Sequence, residues 1–149
     1  MADKKKIKVR DAVAVYSALR GINAAKFPTA DKAGLFAVIR ATRAFKAAFD
    51  SQADFERDAA ERLKPEDFDA LMEKRNRFDT LTPEEKRDVA ERLNAYDRAF
   101  VECVRPEQEK EVEIDAFEPL SEDVIAGIAA ASENMALETL LLIEDACGK

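Results

Sequence analysis

Between Ala30 and Leu63 the chain holds no proline and a single glycine, Gly34. Along this stretch Leu35, Val38, Thr42, Phe45, Phe49, Gln52, Ala59 and Leu63 recur at steps that return to one face of a helix. The spacing predicts a helix over 30–63, about 50 Å long at a rise of 1.5 Å per residue. Thr29, directly after Pro28, is its N-cap candidate, and Asp31 puts an acid where the helix dipole favours one. Gln52 and Glu56 make the distal half of the seam polar, which predicts weaker burial there. The opposite face carries Lys32, Arg40, Arg43 and Lys46, with Phe36 and Ile39 between them.

A helix of this length needs a partner, and the next stretch supplies one. Pro65 ends the first helix, and Glu66 and Asp67 favour an immediate restart. Phe68, Leu71, Met72, Arg75 and Phe78 trace a ragged third helix. Thr82-Pro83-Glu84-Glu85 then combines a cap, an N1 proline and an acid at N3, the signature of a capping box. Behind it Val89, Leu93, Tyr96, Phe100 and Cys103 form the most regular apolar stripe of the chain, expected to end near Arg105, before Pro106. The second and fourth helices are the expected antiparallel pair, with the third as their connection.

The two ends point to a small sheet. Residues 6–10, Lys-Ile-Lys-Val-Arg, alternate charge and apolar, and residues 111–115, Glu-Val-Glu-Ile-Asp, do so with the opposite charge. Pairing them sets lysines against glutamates and puts Ile7, Val9, Val112 and Ile114 on one face. A two-stranded ribbon is marginal alone and must pack on helices. A first helix is expected from Asp11 to Arg20, with Ala12, Val15 and Leu19 on one face and Gly21 as its stop. Residues 23–28 read as a connector. Ser121 opens a fifth helix, stapled by Leu120 and Ile125 and running to about Ala131. Ser132 either caps a sixth helix or lies inside one continuous rod. The segment from Met135 to Cys147 is apolar around most of its circumference, and such a helix is buried in the core or in a partner. At 149 residues and 47% apolar content the chain is the size of one domain with a real core. The expected fold is a single mainly-α domain over 1–149: a long antiparallel helical pair over about 30–105, shorter packed helices, and a two-stranded β-ribbon joining the N- and C-terminal segments.

Much chemistry is excluded. Without histidine the chain has no Ser-His or Cys-His nucleophile pair and no Glu-x-x-His motif. Cys103 and Cys147 cannot build a four-ligand zinc site; they read as two small buried apolar side chains, with one disulfide as the alternative. There is no Gly-rich phosphate loop. Asp50, Asp54 and Asp58 stand on one face of the long helix, as a cation site or an acid–base pair would require. With Arg57 and Arg62 beside them they read as a solvated row. No catalytic, cofactor or metal site is expected, and the protein is read as non-enzymatic. No segment resembles a signal peptide or approaches a membrane span, so a cytoplasmic protein without membrane contact is expected.

Charge is unevenly spread. Residues 1–49 carry 11 basic and 3 acidic groups, and residues 102–149 carry 3 and 13, within a net charge of −7. Basic head and acidic tail should attract each other within the fold. The stripe Lys32, Arg40, Arg43 and Lys46 with Phe36 is the kind of surface that meets nucleic acid or another anionic partner, but four cations on an acidic chain make nucleic acid the lesser expectation. One phrase recurs: residues 57–63, Arg-Asp-Ala-Ala-Glu-Arg-Leu, return as Arg-Asp-Val-Ala-Glu-Arg-Leu at 87–93. Duplication explains this, and so does shared composition, since acid–base pairs at i,i+4 suit any exposed helix face.

The opening Lys-Ile-Lys-Val strand running into a short helix, the long Phe-bearing helix, Val112-Glu113-Ile114-Asp115 leading to Pro119-Leu120-Ser121, and the closing Ala136-Leu137-Glu138 helix together resemble an uncharacterised family of small phage and prophage proteins. The resemblance covers most of the chain as a pattern and carries no catalytic residues. It implies a phage accessory or interaction protein acting in the host cytoplasm. The expected function is therefore binding of another macromolecule, a protein or a second copy, with an acidic inhibitor of a host nucleic-acid-handling enzyme as the alternative. Candidate partner-binding residues are Phe55, Phe68 and Phe78, grouped at the tip of the helical pair, together with Arg40 and Arg43.

Overall fold

The computed structural model describes residues 4–28 and 32–149. The chain is mainly α-helical, with one small sheet. Its elements are β1 (Lys5–Lys8), α1 (Val9–Arg20), α2 (Lys32–Leu63), α3 (Phe68–Asn76), α4 (Pro83–Glu109), β2 (Glu111–Ile114), α5 (Glu122–Ala130) and α6 (Leu137–Cys147). The expected cap at Thr29 and first-turn acid at Asp31 lie outside the described residues. Residues divide into two compact units, Met1–Ala53 with Gln108–Lys149, and Asp54–Glu107.

In the first unit β1 and β2 pair antiparallel, with Ile7 opposite Val112 and each lysine of β1 opposite an acid or Ile114. Val9, expected in the ladder beside Ile114, is instead the first residue of α1, and Lys5 takes the place opposite Ile114. The helix can begin this early because the Val9 amide, an orphan donor of its first turn, donates to the Lys110 carbonyl at 2.9 Å. Ala12, Val15 and Leu19 then bury against Val38, Ala41 and Phe45 of α2, Ile114 of β2, Val124 and Ile128 of α5, and Ile143 and Cys147 of α6. α5 comes close to the connector before α2: a Cβ at Gly127 would stand 2.9 Å from the Phe27 ring, so any side chain there would have to displace it.

Four further expectations about local structure are corrected. Gln52, placed in a weakly buried half of the seam, is 5% exposed. α4 does not stop before Pro106 but continues to Glu109. Proline removes one helical donor. The turn beyond it is anchored by Glu109, which accepts from Lys8 at 2.9 Å and from Arg10 at 2.7 Å. Ser132 neither caps a helix nor sits in a rod: its hydroxyl donates to the Ile128 carbonyl, and Asn134, at φ 55°, breaks the chain before α6. Phe78 lies outside α3, in the short 3-10 turn Phe78–Thr80.

The second unit contains the distal part of α2, then α3 and most of α4. Tyr96 donates its hydroxyl to the Ala60 carbonyl at 2.9 Å, joining α4 to α2. Past Pro65, α3 takes over as the partner of α4: Arg92 forks onto both carboxylate oxygens of Asp67, and Leu71, Leu81 and Val89 form a small cluster with Leu93 against it. Thr82 caps α4 by accepting from the Glu85 amide at 3.2 Å, and its hydroxyl donates to the Glu85 carboxylate. The reciprocal bond of a capping box is therefore made to the threonine side chain, not to its backbone.

Candidate interaction surface

Because α2 turns Val38, Ala41, Phe45 and Ala48 inward, its helical period carries Phe36, Ile39, Arg40 and Arg43 outward. Phe36 is 58% exposed and Ile39 37%. Beside them runs a groove of about 230 Å³, lined by Leu19, Ile22 and Ala24 on one side and Leu35, Val38, Ile39, Thr42 and Arg43 on the other. Thr42 donates its hydroxyl to the Val38 carbonyl at 2.7 Å, so its polar group is spent on its own helix.

The cations of this face differ in what they meet. Lys46 donates to Asp50 at 2.6 Å, and that bond holds its ammonium above the ordinary lysine range. Arg40 stands 3.7 Å from Glu118. Arg43 and Lys32 have no ion-pair partner among the described residues.

α6, expected to be buried in the core or in a partner, is covered on one side within its own chain. Ile143, Ala146 and Cys147 turn into the core, where burial pushes the Cys147 thiol up to about 12. Leu137 and Leu141, one turn apart, face solvent at 71% and 50% exposure. Glu138, Glu144 and Asp145 are exposed around them and have no ion-pair partner among the described residues. Which side stays uncovered was not legible in the sequence, because Leu140, Leu142 and Ile143 fill in the circumference. The local signal of that side is the Leu137–Leu141 step with acids on either side.

The three phenylalanines expected to share a tip differ in exposure and in neighbours. Phe55 is half-buried on α2. Phe68 is half-buried at the start of α3, its ring 5.5 Å from that of Tyr96 and 5.6 Å from the Lys64 ammonium. Phe78 is 37% exposed with the Lys86 ammonium 5.5 Å from its ring. No ring pair joins any two of them among the described residues. Of the acid row, Asp50 is held by Lys46, Asp54 accepts from Arg57 at 2.7 Å, and all three acids are exposed. No group of side chains suited to hold a metal ion occurs among the described residues. Both cysteines are free; Cys103 accepts from Arg62 at 3.2 Å. No helix among the described residues is long and apolar enough to cross a membrane.

No family model, curated protein or solved structure matches the chain.

Proposed function

We propose that this chain is a non-enzymatic protein that works by binding another protein through the outer face of α2, and that its partner presents an acidic amphipathic helix. The observation that carries the reading is the groove lined by solvent-exposed Ile39 and by Arg43, a cation without an ion-pair partner among the described residues, with exposed Phe36 on the same outer side of α2. Fully burying a large apolar side chain contributes about 1.5–3 kcal/mol, and an arginine at the rim selects a carboxylate. Exposed aromatic and aliphatic groups beside arginine are the composition of interface anchors.

Nucleic acid fits this face poorly. Lys46 and Arg40 already have acids within reach, which leaves few cations for phosphates. The reading as an acidic nucleic-acid mimic draws little support from the C-terminal third. There Glu109, Asp115, Glu118 and Glu133 each have a lysine or arginine of the same unit beside them. A phage or prophage accessory role, implied by the resemblance, is the setting proposed with the binding function.

The test is photo-cross-linking. A benzophenone side chain replacing Phe36 in the full chain is expected to form protein adducts, with Asn94, exposed in the other unit, as the control position. The attached peptide should carry acids and apolar residues at helical spacing. Adduct yields no higher than from Asn94, or peptides without that pattern, would overturn the reading.

A further inference from the structure

We infer that the helix which seats on the α2 face is α6 of a second copy of this chain. The inference rests on the binding role proposed for α2 and names its partner.

The two faces are complementary in shape class and in charge. α2 offers Phe36 and Ile39 with Arg43 and Lys32; α6 offers Leu137 and Leu141 with Glu138, Glu144 and Asp145. Each is an apolar stripe one to two turns long, rimmed mainly by charges of one sign, the exceptions being Glu118 beside Arg40 and the Lys5 ammonium on the Asp145 carbonyl. Neither set of charges is matched within its own copy among the described residues, apart from Arg40 beside Glu118.

The uneven charge of the chain is thus only partly consumed internally. The β-ribbon sets Lys6 and Lys8 opposite Glu113 and Glu111, and Glu109 takes Lys8 and Arg10. The basic excess left on α2 and the acidic excess left on α6 fall on the two exposed apolar helix faces of the same unit. An isolated apolar stripe would accept many partners. Opposite rims on two stripes of one chain specify this pairing and disfavour α2 on α2 or α6 on α6, where like charges would meet.

A contact between two different patches is heterologous, so each copy that docks its α6 keeps a free α2 face. Faces of this length belong to the small, transient class of interface, so association is concentration-dependent and weakens as salt screens the rims.

The experiment is sedimentation of the full chain over a concentration series at low and high salt. The weight-average mass should rise above the monomer value with concentration, and less so in high salt. Two variants at exposed positions separate the faces: Ile39→Asp with Arg43→Glu, and Leu137→Ser with Leu141→Asp. Circular dichroism melts matching the parent show that both still fold. Each alone should associate at least about tenfold more weakly. Mixed in equal amounts they should form a one-to-one heterodimer, because each retains the face the other lacks. A parent that stays monomeric to its solubility limit, a variant that associates like the parent, or a mixture that stays monomeric would each overturn the inference. The two readings fail differently. A Phe36 adduct to an acidic helix of another protein removes the second copy as partner and leaves the α2 face as a binding surface, whereas no adduct above the control removes both.

Discussion

In the unit formed by Met1–Ala53 and Gln108–Lys149, four helices and the β-ribbon converge on one cluster of eighteen buried side chains. The unit Asp54–Glu107, built from comparable lengths of helix, gathers three, Leu71, Leu81 and Val89. Buried Ala59 and Val104 stand outside that cluster, and the other ties include surface ion pairs such as Asp54 with Arg57, the Phe68–Tyr96 ring contact and the Tyr96–Ala60 hydrogen bond. Exposed ion pairs contribute little, and helices of this length owe most of their stability to an apolar face that finds a cover. The difference teaches that a long, regular helix is no measure of stability along its length. The two halves of α2 are alike in helical propensity and unlike in burial, so the second unit should open first.

The largest effect should come from Phe45→Ala, which empties the centre of the first cluster and removes the partner ring of Phe117 at 5.7 Å. A loss of about 3–5 kcal/mol is expected by chemical denaturation. The buried Cys147 thiol should resist alkylation in the parent at neutral pH and become open to it in the variant. If stability is unchanged and Cys147 stays protected, the first unit does not depend on this cluster.

Leu71→Ala should cost about 2–5 kcal/mol, and hydrogen exchange should confine the loss of protection to Asp54–Glu107. Equal loss across both units would show that they unfold as one, and would end the contrast. A smaller effect is expected from Gly127→Ala, because the new methyl meets the Phe27 ring, itself 3% exposed. Overpacking of this kind costs about 1–3 kcal/mol, and the shift in melting temperature should come with changed shifts around Phe27 by nuclear magnetic resonance.

The smallest effect concerns pH. Hydrogen bonds from Arg92 hold the Asp67 carboxyl below its ordinary 3.8. A folded value below the unfolded one means stability that is present above pH 3.8 and lost as pH falls through the folded value. Asp67→Asn should abolish that part of the acid sensitivity of the second unit. It should leave untouched the acid response of the first, where Lys8 and Arg10 lower the Glu109 carboxyl in the same way. Parallel acid titrations followed by hydrogen exchange read the two apart, and an unchanged profile in Asp67→Asn would show that this pair does not couple to folding.

Much of the fold was legible. The breaker-free stretch after Pro28, the Thr82 cap with Glu85, the Ser121 cap accepting from the Val124 amide, and the opposed alternation of β1 and β2 all rest on interactions within a few residues or on a two-residue period. The candidate surface was legible in part. The α2 stripe with Phe36 and Ile39 follows from the period that buries Val38 and Phe45. The neighbours of Phe68 and Phe78, the Tyr96 ring and the Lys86 ammonium, were not legible, because no local period sets them.

The sequence by itself determined where helices begin, which side chains share a helical face, and which strands could pair, since backbone hydrogen bonding and side-chain period are local. Only the tertiary structure decided that Gln52 is buried, that α4 passes Pro106 because Glu109 is held from the far end of the chain, and that α6 leaves Leu137 and Leu141 uncovered. Burial belongs to a side chain and its cover together, and the cover comes from residues distant in the chain. An apolar residue therefore states what would be stabilised by contact, and the fold states whether the contact is made.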